Sequence, residues 1–214
     1  MKLFTIGHSN HPLDKFIGLL KGHGVVTLVD VRSAPYSRYN VQFNKEHLQQ
    51  ALGQYGLAYV YEGGSLGGRP SDASCYKSGV VPEDESDYLH EVDYREVMKK
   101  AWFLAAIQRL LVLAREEPTA IFCSEENPAN CHRHHLIACH LSAEHPDVEV
   151  EHIRGDGTIL AARSIPATTP EHRQKSFFEG GSNAANKAAA THVSRSIGPK
   201  GLDSKAQGNA LGHR

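Results

Sequence analysis

The sequence predicts an α/β fold of three layers, a mostly parallel sheet with helices on both faces, followed by a disordered C-terminal tail. Three observations carry this. Val25-Val-Thr-Leu-Val-Asp-Val31 is almost wholly apolar and β-branched, as a strand covered on both faces has to be. A strand, an amphipathic helix and that second strand follow one another over residues 3–31, the order that sets up a parallel pair through a crossover. The periodicity that marks strands and helices stops near Ile165, which places one domain at 1–164 and a low-complexity tail at 165–214.

Each element has its own signature. Leu3-Phe-Thr-Ile6 is a short strand stopped by Gly7. His11-Pro12 opens a helix, proline suiting a first helical position. Leu13, Phe16, Ile17, Leu19 and Leu20 give that helix an apolar face, and Gly22 and Gly24 end it. After the second strand comes a polar, aromatic and basic loop from Arg32 to Asn44. Asn44 is the expected N-cap of a helix that runs to about Tyr55 and stops at Gly56. Leu57-Ala-Tyr-Val-Tyr61 is the third strand. Residues 62–87 are irregular, with Gly63-Gly64, Leu66-Gly-Gly-Arg-Pro70 and the acidic Glu83-Asp-Glu85, a connection long enough to be functional or mobile. Gly67-Gly68 reads as a turn, since no Walker-type lysine and serine follow. A helix with one break spans about Tyr88 to Arg115, its core face built from Val97, Phe103, Ile107, Leu110, Leu111 and Leu113. Ala120-Ile-Phe122 is the fourth strand, and a helix follows from about Asn130 to Ala143. Val148 to Ile153 alternates as a fifth strand, and Thr158-Ile-Leu160 makes a last short one.

Bulk properties exclude little. Net charge is −1 and hydrophobic content 40%, ordinary for a soluble core and indifferent to partner. Residues 165–214 carry seven Lys and Arg against three Asp and Glu, a mildly basic tail on a mildly acidic body. Met1-Lys-Leu-Phe4 runs straight into Gly7-His8 with no secretory signal, and no apolar run has membrane-spanning length. The expected location is the cytoplasm, with Cys75, Cys123, Cys131 and Cys139 reduced.

In a parallel sheet all strand carboxyl ends share one edge, where open α/β proteins hold their ligands. Strand one brings His8 and Ser9 there. Strand two brings Asp30, Arg32 and Ser33, with Ser37 and Arg38 beyond. Strand three brings Glu62 and the glycines leading to Arg69. Strand four brings Cys123, Glu125, Cys131, His132 and Arg133. Asp30 inside an apolar strand needs a partner, either Arg32 or a helix N-terminus in a structural role, or a ligand. Cys131, at an expected helix start beside Arg133, has the setting of a thiolate, a nucleophile or an oxyanion site. Cys139 is expected in the core, Cys75 has no evident partner, and Cys123 and Cys131 are close enough in sequence to form a redox disulfide. The chain has 14 histidines, enough to raise metal binding. Cys131 and His135 are four apart, with Cys123 as a third ligand, but there is no C-x-x-C and no H-E-x-x-H, and no metal is assigned. His132, His134 and His140 are expected on a polar helix face.

Taken together, Thr5-Ile-Gly-His-Ser9, Asp30-Val-Arg-Ser33, Pro35-Tyr-Ser-Arg38, Gln42-Phe-Asn44, Leu66-Gly-Gly68, Cys123-Ser-Glu125 and Cys131-His-Arg133 resemble the bacterial and archaeal "domain of unknown function 488" family over about residues 3 to 160. The resemblance implies that these residues form a shared site; it implies no reaction. A strand ending in Asp-Val-Arg and a later one ending in Cys before an Arg-bearing helix is also similar to rhodanese and cysteine-phosphatase domains. Here, though, Cys123 and Arg133 are ten apart and the loop lacks glycine.

The leading expectation is a pocket for an anionic ligand, a phosphate, nucleotide or nucleic-acid end. Arg32, Arg38, Arg133 and the helix start at Cys131 would form it, with His8, Ser9, Ser33, Ser37, Cys123 and His132. As an enzyme it would use Asp30 or Glu125 as general base and Cys131 as nucleophile. The alternatives are a thiol-based, sulfurtransferase-like or redox protein working through Cys123 and Cys131, and a non-catalytic module contacting a protein or nucleic acid through its long loop and tail. No membrane partner is expected; cofactor, substrate and oligomeric state stay open.

Overall fold

Alternation along the strands decides which helix covers which face. A computed structural model describes residues 1–83 and 88–166. The tail from 167 onward, and the acidic cluster apart from Glu83, lie outside the described residues. β1 (Lys2–Gly7), β2 (Thr27–Asp30), β3 (Ala58–Tyr61), β4 (Thr119–Cys123) and β5 (Glu149–Ile153) run parallel. β6 (Ile159–Ala161) lies antiparallel to β5, and the order is β3-β2-β4-β1-β5-β6. Ile6, Leu28, Ala120, Phe122 and Ile153 belong to one core with Phe16, Ile17 and Leu20 of α1 (Leu13–Gly22) and Leu48 and Leu52 of α2 (Lys45–Gln54). Leu3, Val29, Ile121 and Val150 belong to a second core. There they join Phe103, Ile107, Leu110 and Leu111 of the helix at Ala101–Glu116 and the segment 136–141. Each of the Val, Leu, Ile and Phe side chains among them contributes about 1.5–3 kcal/mol by leaving water. The expected three-layer α/β architecture is what the chain adopts.

Several boundaries differ from expectation for local reasons. β2 is shorter than 25–31 because the Val25 N–H turns back to the Leu20 carbonyl, and those of Val26 and Thr27 both reach the Pro118 carbonyl. Residues 62–87 contain a short helix, α3 (Gly63–Leu66), and a 3₁₀ turn, Ala73–Cys75. The expected helix over 88–115 is three pieces: α4 (Tyr88–Glu91), α5 (Tyr94–Val97) and α6 (Ala101–Glu116). Asp93 caps α5 by accepting the Arg95 and Glu96 N–H groups, and extended backbone at Lys100 separates α5 from α6. The expected helix over 130–143 is a 3₁₀ turn at Pro128–Asn130, extended backbone at Cys131, a π-helical segment at Arg133–Ala138 and then α7 (Cys139–Glu144). Asn44 stands at the N-cap of α2, but its Oδ1 accepts the Ser37 N–H (2.6 Å) rather than a helix N–H, tying the basic loop to the helix start.

The chain leaves β1 toward one end of the sheet, returns in β4 beside it, and continues to the other end in β5. The crevice where ligands enter such sheets therefore lies at the carboxyl ends of β1, β2 and β4.

Candidate ligand-binding site

The site starts from Gly7. A Cβ there would overlap the Glu125 carbonyl, so only glycine lets the loop after β4 settle onto the end of β1. The His8 N–H then donates to the Cys123 carbonyl (3.0 Å) and the Ser9 N–H to the Ser124 carbonyl (2.8 Å). Ser9 is held at φ 46°, left-handed backbone that a serine adopts only when its surroundings impose it. The His8 ring stacks on Phe43 at 4.3 Å. Its Nδ1 lies 2.6 Å from the Ser9 carbonyl, which can only accept. The proton is therefore on Nδ1, and Nε2 carries a lone pair. That Nε2 is buried and has no hydrogen-bond partner among the described residues. Burial holds the imidazole pKa down to about 4, with the Ser9 carbonyl opposing, so His8 is neutral at physiological pH.

From β2 come Asp30 and Arg32. Asp30 is fully buried, and its oxygens accept the Arg32 N–H (3.0 Å), Nε (2.9 Å) and Nη2 (2.6 Å) and the Tyr59 hydroxyl (2.7 Å). Arg32 Nη2 also donates to the Phe43 carbonyl, and the guanidinium lies 4.5 Å over the Phe122 ring. Asp30 is thus the structural partner of Arg32, and with its oxygens engaged it has no room to act as a general base. Among the described residues, Arg32 Nη1 takes no part in these bonds.

An open cavity of about 430 Å³ lies here. Its walls are His8, Ser9 and Asn10 from the end of β1, and Arg32, Tyr36, Ser37 and Asn40 from the loop after β2. Ser124, Glu125 and Glu126 from the loop after β4 complete it. Five expected residues are therefore brought together: His8, Ser9, Arg32, Ser37 and Glu125. Tyr36 and Ser124 join them from the motifs Pro35-Tyr-Ser-Arg38 and Cys123-Ser-Glu125 that carry the family resemblance; Asn10 and Glu126 adjoin expected residues, and Asn40 has no signal of its own in the sequence. Ser33 lies off the cavity, its Oγ accepting the Arg69 N–H (2.9 Å) against Gly67, where a Cβ would overlap that oxygen. Arg38 is exposed on the same loop but does not line the cavity. Glu62 pairs with Arg109 (2.8 Å). Glu126 accepts from Arg154 Nε and Nη2 (2.9 and 2.8 Å) and from the Gly155 N–H, and the Arg154 bonds carry its pKa down to about 2. Glu125 stands exposed at the rim; the protein packed on its inner side raises its pKa, the Cys131 sulfur adds to this and Arg133 opposes.

Arg133 corrects the expectation of a ligand-facing guanidinium. It is completely buried, donating from Nη1 to the Glu125 carbonyl, from Nη2 to the Glu126 carbonyl (2.6 Å) and from Nε to Thr5 Oγ1 (3.2 Å). Its work is to fix the backbone of the loop that carries Ser124, Glu125 and Glu126. The same bond opens a buried chain: Thr5 Oγ1 meets His152 Nδ1 at 2.7 Å, and His152 Nε2 meets His134 Nδ1 at 3.2 Å. Burial drives the pKa of His152 down to about 3 and of His134 to about 4. His132, His134 and His140 are buried, not spread over a solvated face; of the three, His134 lies in the π-helical segment, His132 just before it and His140 in α7.

Cys131 is fully buried and Cys123 nearly so, both as free thiols, and neither lines the cavity. Cys131 precedes the helical segment in extended backbone, its N–H bonded to the Pro128 carbonyl. Burial opposes a thiolate there, but the hydrogen bond from Cys123 and the Arg133 charge outweigh it and lower the Cys131 pKa, while the same bond raises Cys123. His132 faces both sulfurs, with Nδ1 3.6 Å from Cys123 Sγ and 3.9 Å from Cys131 Sγ. His135 is not with them; its Nε2 bonds the Ala129 carbonyl at 2.6 Å. Cys139 is only partly buried, 3.9 Å from His134 Nε2. No helix among the described residues is long and apolar enough to cross a membrane.

Fold and site together define an open parallel α/β protein with a polar cavity at the carboxyl edge of its sheet. The model of one family, described as Domain of unknown function DUF488, matches residues 12–139, more than half of the chain, and the chain belongs to that family. No curated protein and no solved structure matches it. The rhodanese likeness finds no support, and Arg133 gives the reason in atoms: it grips backbone carbonyls where a phosphate- or sulfur-transfer loop would aim it at the ligand.

Proposed function

We propose that the cavity binds a small polar ligand with an anionic group, a phosphate-bearing nucleotide being the class that fits best. Arg32 Nη1 and the Ser9 and Ser37 hydroxyls meet the anionic end, and His8 Nε2 accepts an O–H or N–H from the rest of the ligand. One observation carries this reading: among the described residues a guanidinium nitrogen of Arg32 and an imidazole nitrogen of His8, of opposite hydrogen-bonding polarity and just past the ends of two strands, are left over from the protein's own bonds, and both residues line one cavity. The volume of about 430 Å³ suits a small molecule. Of the three candidate catalytic groups, Glu125 alone lines the cavity, so any acid–base step falls to it. Cys131 and Asp30 have no access to a ligand there.

The test is thermal shift against nucleoside mono-, di- and triphosphates, 5′-phosphorylated oligonucleotides and inorganic phosphate. At a hundredfold excess over Kd the stabilisation is about 2.7 kcal/mol, a rise of about 5 to 10 °C for a domain of this size. His8→Asn and Ser37→Ala, both still folded by circular dichroism, lose most of it. No shift with any nucleotide, or equal shifts in wild type and both variants, removes the reading.

A further inference from the structure

We propose that Cys123, Cys131 and His132 form a buried three-coordinate site for a monovalent thiophilic cation, Cu(I). It is separate from the cavity, since none of the three lines it, and it stands whether or not the cavity binds a nucleotide. The two sulfurs and His132 Nδ1 lie within 4.8 Å of one another, all buried. With metal–sulfur and metal–nitrogen bonds of about 2.3 and 2.0 Å, a planar three-coordinate centre places sulfur and nitrogen about 3.7 Å apart. The observed separations are 3.6 and 3.9 Å.

The imidazole is already in the ligating form. His132 Nε2 lies 3.0 Å from the Val31 carbonyl, which can only accept, so Nε2 holds the proton and Nδ1 offers its lone pair to the sulfurs. A ligating histidine whose other nitrogen donates to a backbone carbonyl is the outer-shell arrangement that fixes tautomer and ring orientation at metal sites.

Coordination number and charge select the ion. Among the described residues no fourth His, Cys, Asp or Glu joins the group, which suits a three-coordinate ion over tetrahedral zinc. Two thiolates around a monovalent cation sum to −1. The fully buried guanidinium of Arg133, whose three hydrogen-bond partners are uncharged, balances that charge. A divalent ion would neutralise the thiolates and strand the guanidinium without a counter-charge. Thiolate sulfur is also the donor that Cu(I) prefers. Binding forms two Cu–S bonds and one Cu–N bond; the thiol protons leave to solvent and nothing is oxidised.

The experiment is anaerobic competition of the reduced full chain against Cu(I) bicinchoninate, with Zn(II) on 4-(2-pyridylazo)resorcinol in parallel. The chain withdraws one equivalent of copper and leaves the zinc. Cys123→Ser and Cys131→Ser each cut the copper withdrawn at least tenfold, while Cys75→Ser and Cys139→Ser keep the full equivalent. Copper left on bicinchoninate, or zinc taken in preference, overturns the proposal. X-ray absorption of the copper-loaded wild type keeps the test decisive if the serine variants fail to fold: two sulfurs and one nitrogen support the site, and any other donor set overturns it.

Discussion

Replacing Asp30 with alanine should be among the most damaging single changes to this fold. The side chains of Asp30 and Arg32 are 0% and 3% exposed, and the carboxylate accepts three bonds from Arg32 and one from Tyr59. Asp30→Ala leaves the guanidinium between Phe122 and the Phe43 carbonyl with no counter-charge. Removing one partner of a buried pair costs about 3–5 kcal/mol, a large fraction of a total stability of about 5–15 kcal/mol. At about 2–4 °C per kcal/mol, the melting temperature should fall by about 6–20 °C. Calorimetry at neutral pH reads this directly. Asp30→Leu combined with Arg32→Met, which removes both charges, should recover much of the loss, since the cost lies in the stranded charge more than in the missing attraction. A fall of less than about 2 °C in the single variant would refute the reasoning, and so would a double variant no more stable than the single one.

Gly7→Ala should leave no folded protein, because its methyl group would meet the Glu125 backbone; a soluble variant with a normal melt contradicts the account of the loop. Arg133→Met should cost about 3 kcal/mol or more by leaving two carbonyls and Thr5 without their donor, and hydrogen exchange should speed up across 124–130 before it does elsewhere. Acid should destabilise the fold early. The folded pKa values of His8, His134 and His152 lie at about 4, 4 and 3 against 6.5 unfolded. Below pH 6.5 the unfolded chain therefore binds more protons than the folded one, so stability is complete above that pH and drains away as pH falls toward the folded values. Melts from pH 7 to 4.5 should show this slope, shallower in His152→Gln; a flat profile contradicts it.

How much of this was legible in the sequence depended on what each residue's signal encodes. Val25 to Val31 announces a buried strand because burial on both faces demands apolar residues throughout, and strand order then placed His8, Arg32, Ser37 and Glu125 at one edge. The direction a side chain takes is not encoded that way. Arg32 and Arg133 both follow strands and look equally suited to an anion, yet of the two only Arg32 lines the cavity. Arg133 begins a π-helical turn that buries it, and that turn has no periodicity of its own to read. His134, which a regular helix would have set on a polar face, is buried within the same turn. His132, just ahead of that turn, and not His135 within it, faces the cysteines. Gly7 is visible as a strand stop, but that it makes room for the Glu125 carbonyl depends on a contact across more than half the chain.

β1 sits between β4 and β5, with Phe4 opposite Ala120 and Lys2 opposite Glu149. On the ribosome it emerges long before either neighbour. At about 5–20 residues per second, roughly 6 to 25 seconds pass before β4 is available. For that time an apolar segment waits with its backbone unpaired, and nascent chains stalled ahead of Ile153 should be captured by chaperones and cut by proteases where the finished protein is not.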